Sequence, residues 1–358
     1  MERVPFDPKE FEIVGYFPGF NPRAPKMPIY NSPITRRENM WLLYKHEQPL
    51  WMPHSFDASL LMPDCVPDNW ARGMVQSDKP TTPDMLGGKD MFGVEWEFVP
   101  QVGGSMVRPG KPFVGDLEHW EDYVTFPNID EWDWAGSAEK LHDRLNDGRF
   151  VKVMLLTGMF ERLISFVDMT DALIALVDED QQEAVHRLFS KLADLYDAIF
   201  EKFATYFHAD GVWFHDDWGS QRAPFFSIST VREMIAPYIK RVCDSAHKYG
   251  MILDLHSCDK NEALVPAMIE AGVDSWNGQF MNDKLAVARN YPNQIIVDAL
   301  PEKIGMDLSD DELRQYITKF VEDYKGLGAY CTMDYSSPPH PKMYDILYEV
   351  SRKAYNPA

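Results

Sequence analysis

Residues 250–279 read GMILDLHSCDKNEALVPAMIEAGVDSWNGQ. The stretch opens with an apolar run, Met251–Leu255, short enough to be a buried strand. A helical pattern follows over Asn261–Ala271, then a second short apolar run, Val273–Trp276. Strand, helix and strand in so few residues build two parallel strands joined by a crossover. The first strand ends in His256-Ser257-Cys258. Residues two apart in an extended chain point to the same side, so an imidazole and a thiol can be aimed at one point.

Working outward, the same unit recurs. Strands are expected over Phe150–Leu156, Gly211–Phe214, Gln294–Ala299 and Ala329–Met333. Helices are expected over Asp180–Phe207, Ser229–Tyr249, Lys284–Tyr291, Ser309–Gly326 and Pro341–Tyr355. Ser309 and Glu312 form a capping box at the start of one of them, and Ser229 or Thr230 caps another. Upstream, Pro49–His54 (PLWMPH) reads as the first barrel strand, and Thr35 with Glu38 starts a helix before it. Residues 60–150 are irregular, with Phe92–Val99 as a strand or hairpin arm over the mouth. Residues 1–35 read as an arm packed on the body or on a second subunit, which makes a homodimer one expected partner.

Unbroken strand–helix alternation with no dinucleotide fingerprint favours a closed (β/α)8 TIM barrel over an open sheet. The chain of 358 residues suits one such domain with insertions, residues 49–358, after an arm and first helix over 1–48. With 35 basic against 56 acidic residues, the net charge of −21 argues against nucleic acid and anionic membrane surfaces as partners. No apolar stretch approaches the roughly 20 residues of a membrane span. The first residues lack a basic-then-apolar signal pattern, and Cys65, Cys243, Cys258 and Cys331 show no tight pairing. A cytoplasmic, reducing location is the expectation.

In such barrels the chemistry lies at the C-terminal ends of the strands. That rule selects Asp216 and Asp217 as catalytic candidates and Trp218 and Gln221 beside them. It also selects Trp276 and Gln279 after the next-but-one strand, and Met159 and Phe160 after Phe150–Leu156, as substrate contacts. Adjacent Asp216 and Asp217 cannot both face the mouth, and Asp217 is read as the mouth-facing acid, with Asp216 tying down the loop. Cys331 joins His256 and Cys258 as a nitrogen-and-sulfur zinc set with one position open.

The phrases Gly158–Arg162 (GMFER), Asp216–Gln221 (DDWGSQ), Ile235–Lys240 (IAPYIK), His256-Ser257-Cys258 and Ile269–Asp274 (IEAGVD) resemble the uroporphyrinogen decarboxylase superfamily, over about Pro49 to the end. The resemblance implies a (β/α)8 barrel and one of two activities. The decarboxylase carries an arginine-rich signature beside the first strand, where this chain reads PLWMPHSFDAS. The other branch comprises corrinoid-dependent methyltransferases, and DDWGSQ looks most like its ether-demethylating members. This branch implies Zn2+, a small methyl donor such as a methoxylated aromatic, and a corrinoid (cobalamin) carried by a partner protein. Its thiol-methylating members use a His-x-Cys…Cys zinc site, matched by His256, Cys258 and Cys331; transfer to a thiol or to tetrahydrofolate is the alternative. Asp259 stands where a glycine usually follows His-Ser-Cys. A second zinc pattern of the branch is matched by Glu179, Asp194 and His215.

Overall fold

The computed structural model describes residues 4–18, 27–77, 81–101, 103–108, 110–332 and 339–357. Seven parallel strands form one curled sheet: β1 (Ala58–Leu61), β2 (Phe150–Leu155), β3 (Gly211–His215), β4 (Ile252–Ser257), β5 (Ser275–Gly278), β6 (Ile296–Ala299) and β7 (Ala329–Cys331). They neighbour one another in chain order, the TIM-barrel arrangement. Beyond β7, a parallel bridge joins Cys331 to His54, and the Cys331 N–H donates to the Pro53 carbonyl at 2.7 Å. The chain ahead of β1 therefore meets the last strand.

PLWMPH is not a strand, contrary to the sequence reading. Pro49 and Pro53 have no N–H to give a ladder. Two of its backbone groups are taken by a side chain: Leu50 N–H donates to Asn39 Oδ1 at 2.8 Å, and Asn39 Nδ2 donates to the Trp51 carbonyl at 3.0 Å. The first strand is instead ASLL of β1. The last strand stops at Cys331; Met333 lies outside the described residues.

Strand parity sorts side chains between two cores. Phe150, Ile252, Ile296 and Tyr330 point into the barrel and pack on Met40, Leu43 and Tyr44 of the helix Arg36–Tyr44, which plugs the N-terminal end. That helix begins with the expected Thr35–Glu38 capping box. Val151, Val212, Phe214, Leu253, Trp276, Val297 and Cys331 point outward into the main core under the helices. Every residue of β2 and β6 is buried, as strands covered on both faces must be.

The long helix Glu179–Phe207 is as expected. The helix expected over Ser229–Tyr249 starts earlier, at Ser227 as cap, and contains a π-helical turn, Val231–Ile235. Between β1 and β2 the insertion holds a short helix, Pro67–Ala71, and an antiparallel sheet of Gly88–Lys89, Glu95–Val99 and Gly104–Val107. The arm packs on the body: Glu10 forms a buried ion pair with Arg352 at 2.6 Å. Among the described residues no helix is long and apolar enough to cross a membrane.

Candidate metal centre

β3 and β4 lie side by side with His215 opposite His256. Inward parity gives Trp213, His215 and then Asp217 on one strand end, and Asp254, His256 and Cys258 on the other. One ligand atom from each of His215, Asp217, His256 and Cys258 lies within 4.8 Å of all the others. His215 is buried; the other three are partly exposed.

Each member is held by a second residue. His215 Nδ1 meets Glu161 Oε2 at 2.7 Å, and Glu161 Oε1 accepts from Arg72 at 2.9 Å. Arg72 also donates to Thr157 Oγ1 at 3.2 Å and lies over the Trp96 ring. His256 Nδ1 meets Asn277 Oδ1 at 2.7 Å, and its Nε2 is 3.2 Å from Cys258 Sγ. Asp217 Oδ1 accepts the Cys258 N–H at 2.6 Å. The His256 ring lies 4.5 Å from the Trp213 ring and 4.8 Å from that of His215, centroid to centroid.

The charges follow. Burial works against both the Glu161 carboxylate and the His215 cation. Arg72 and His215 outweigh it and hold Glu161 well below the carboxylate range, and Glu161 with Asp217 raises His215. Burial, then the Asp217 charge, pushes the Cys258 thiol up. Burial and the neighbouring His215 lower His256 to about 4. Two groups that can become anionic thus face two imidazoles, of which His215 is the one favoured as a cation, and no lysine or arginine belongs to the four.

This donor set fits a divalent metal. Zinc takes nitrogen, sulfur and carboxylate ligands, and metal-bound histidines typically have the other ring nitrogen hydrogen-bonded, as both do here. The thiol selects against hard cations such as calcium and magnesium. Ligands around a tetrahedral zinc lie roughly 3.3–3.7 Å apart, given bonds of about 2.0–2.3 Å, so a small contraction closes the group. Two residues here sit in the left-handed region, Thr157 at φ 73° and Asp259 at φ 67°, and strain of that kind collects at functional sites.

Of the residues selected from sequence, the structure brings His256, Cys258 and Asp217 together. Cys331 is not in the group. Its neighbour Tyr330 points into the barrel, so Cys331 points outward into the main core, where it is fully buried. Nor do Glu179 and Asp194 accompany His215: both are exposed on the helix Glu179–Phe207, and Asp194 pairs with Arg241 at 2.6 Å.

Asp216 and Asp217 point opposite ways. Asp216 is fully buried and accepts from Phe160 N, Glu161 N and Trp218 Nε1 at 3.2, 2.9 and 2.8 Å. Burial and the Glu161 charge raise it to about 7. Trp218, Met159 and Phe160 are core residues, 0–1% exposed. Trp276 is outward and buried, with Lys284 over its ring. Gln221 is exposed on the turn closed by the Gly219–Pro224 bridge, and Gln279 Oε1 accepts the Asp259 N–H at 3.0 Å. Trp213 lies against both histidine rings and packs on an apolar cluster of Met62, Met154 and Leu156 that Leu60 and Met74 also join.

Sequence reading did not join His215 to His256, noted Glu161 and Asn277 only as residues after strand ends, and missed Arg72. The signal for the first was present. His215-x-Asp217 ends its strand as His256-x-Cys258 ends the next, and the same alternation argument applies to both.

No family model matches the sequence, and no curated protein does. Among solved structures, the chain is similar to a methyltransferase from Methanosarcina mazei, with a TM-score of 0.59 and 11% identity, over 90% of this chain and 98% of that one. A B12-independent methionine synthase from Shewanella sp. W3-18-1 follows at TM-score 0.40 and 10% identity, over 65% of this chain and 67% of that one. An endo-β-1,4-xylanase of glycoside hydrolase family 10 from Gloeophyllum trabeum follows at 0.38 and 10%, over 63% and 81%. At such identity the first shows a shared fold along nearly the whole chain; the other two carry no argument.

Proposed function

We propose that this protein is a zinc-assisted methyltransferase that takes a methyl group from a small methoxylated aromatic to a corrinoid carried by a partner protein. One observation carries the reading: two nitrogens, a sulfur and a carboxylate converge at adjacent strand ends, beside the Trp213 ring. The fold shared with a methyltransferase and the family phrases in the sequence support the same class.

His215, His256 and Cys258 would hold the zinc, leaving a position for the ether oxygen, with Asp217 beside them. When bound, zinc supplies Lewis-acid polarisation of the oxygen that leaves as the methyl departs. Glu161 keeps the Nε2 of His215 turned to the centre, and Arg72 balances the Glu161 charge. Trp213, against the His256 ring, offers an aromatic surface to an aryl group. Asp217 is fixed through the Cys258 N–H and stands where it can orient a proton on the leaving oxygen.

The donor set bears on the direction of transfer. A second thiolate would make the metal more electron-rich and suit it to activating a thiol acceptor. One thiolate with two imidazoles leaves a stronger Lewis acid, which suits an ether oxygen. Transfer to a thiol or tetrahydrofolate is therefore the second reading, ranked below.

The test is optical. Zinc-loaded protein, a methoxylated arene and a reduced cognate corrinoid protein should give the methyl-cobalt spectrum. A panel of methoxy-arenes, methylamines, methylated thiols and methanol that yields no methyl-cobalt defeats the proposal.

A further inference from the structure

We infer that Asn277, turned by Tyr330, is a positioning residue that sets the tautomer of His256 and so presents its Nε2 lone pair to the donor group. The inference rests on reading that group as a metal centre, and it concerns the ring's proton rather than the metal itself.

Asn277 belongs to β5 and stands opposite His256 in the sheet register. Its amide has two different ends. Nδ2 donates to the Tyr330 hydroxyl at 3.1 Å, which leaves Oδ1 facing His256 Nδ1 at 2.7 Å. A carbonyl oxygen can only accept. The ring nitrogen facing it therefore carries the hydrogen, and the other nitrogen is left with its lone pair. That other nitrogen is the one directed at Cys258 Sγ, within the four-donor group.

The anchor beneath is rigid. Tyr330 is buried in the inner floor with Phe150, Ile252 and Ile296, and Lys152 lies over its ring. Lys152 is itself held by a buried ion pair with Asp254, two residues before His256 on the same strand. The ring plane is set separately by Trp213. Plane and proton are thus fixed from two sides before any ligand arrives. His215 is served differently: its Nδ1 faces a carboxylate, which favours a strongly basic Nε2, whereas a neutral amide gives His256 orientation without added charge.

Two measurements test this. The first is nitrogen NMR of histidine-labelled, metal-free protein. His256 should show its hydrogen on Nδ1 in the wild type and in Asn277→Asp, and a mixture of tautomers in Asn277→Leu. The second is zinc affinity by chelator competition. Asn277→Leu should bind about 10–100-fold more weakly. Asn277→Asp, which keeps an acceptor at Nδ1, should recover most of that loss. Tyr330→Phe, which frees the amide to turn over, should move both readings the same way by a smaller amount. A wild-type His256 with its hydrogen on Nε2 overturns the inference, as does equal zinc affinity for the Leu and Asp variants. If wild-type protein binds no zinc, the metal reading falls, and the NMR arm still decides the tautomer.

Discussion

Two polar clusters meet the helix Met159–Val167 through its adjacent residues Glu161 and Arg162, and they are built on opposite principles. In one, the fully buried Arg162 guanidinium reaches both Asp68 and Asp90, so that each carboxylate meets a cation. Asp90 also accepts from Phe92 N, Val94 N and Trp96 Nε1, and so shapes the turn that feeds the insertion's sheet. In the other, His215, Asp217, His256 and Cys258 gather four potential ligands with no lysine or arginine among them, and nearby Arg72 is already engaged by Glu161. Charge is common to both. What separates a ligand site from a structural clamp is the balance: a clamp closes on itself, and a ligand site leaves an excess of donors. Glu161 and Arg162 are adjacent in sequence, yet they serve one cluster each.

The sharpest way to break this contrast is to remove a donor. Cys258→Ser should lower bound zinc from about one per chain by more than about tenfold, read by elemental analysis after dialysis. Cys331→Ser, on the outward face, should leave the zinc content unchanged. Should Cys331→Ser lose the metal and Cys258→Ser keep it, the group has been drawn from the wrong strands. Thermal unfolding of the metal-free Cys258→Ser protein should stay cooperative, because the barrel's cores do not pass through the donor group.

Breaking the clamp should do the reverse. Arg162→Met leaves two buried carboxylates facing each other, with Asp68 already pushed up to about 6 by burial against the pull of Arg162. The expected cost is roughly 3–5 kcal/mol in urea unfolding. Zinc bound per folded chain should be unchanged. A loss under about 1 kcal/mol would show that Arg162 does not close the cluster in the way the contacts imply.

Much of this fold was legible because parallel strands covered on both faces are written as apolar runs. Phe150–Leu155, Ile252–Ser257 and Ile296–Ala299 were found on that ground. Helix starts were legible where a capping box spelled them, at Thr35 and Ser309. β1 was not, since ASLL is short and the more conspicuous PLWMPH precedes it. At the site, His256 and Cys258 were legible from strand alternation, which also required Asp216 and Asp217 to diverge; the choice of Asp217 rested on its nearness to Trp218 and Gln221, which lie in the core and on an exposed turn. Cys331 was misplaced because parity in a short strand hangs on knowing which neighbour faces inward, and only the packing of Tyr330 reveals that. The aromatic residues were misjudged for the same reason: Trp276 faces out and Trp213 faces in. Glu161, Arg72 and Asn277 come from three distant segments, and no local pattern ties them to the donors.

The clusters differ in their backbone as well, and the smallest effect is expected there. Asp259 follows Cys258 directly and holds φ at 67°, a conformation in which glycine is at no disadvantage. Its N–H donates to Gln279 Oε1, a bond that any residue at this position keeps. Its carboxylate, part-buried and near the Asp217 charge, is pushed up in pKa, so the side chain gains nothing from its surroundings. Asp259→Gly should therefore stabilise the protein, by about 0.5–1 kcal/mol after the extra freedom of glycine in the unfolded chain is set against the relieved strain. Asp259→Ala removes the same charge but keeps the Cβ, and alanine tolerates the left-handed region less well than aspartate. It should lower stability by a similar amount. The sign difference between the two variants isolates the backbone from the charge. If both variants shift the unfolding midpoint in the same direction and by the same amount, the charge beside Asp217 is the cause and the metal loop stores no strain.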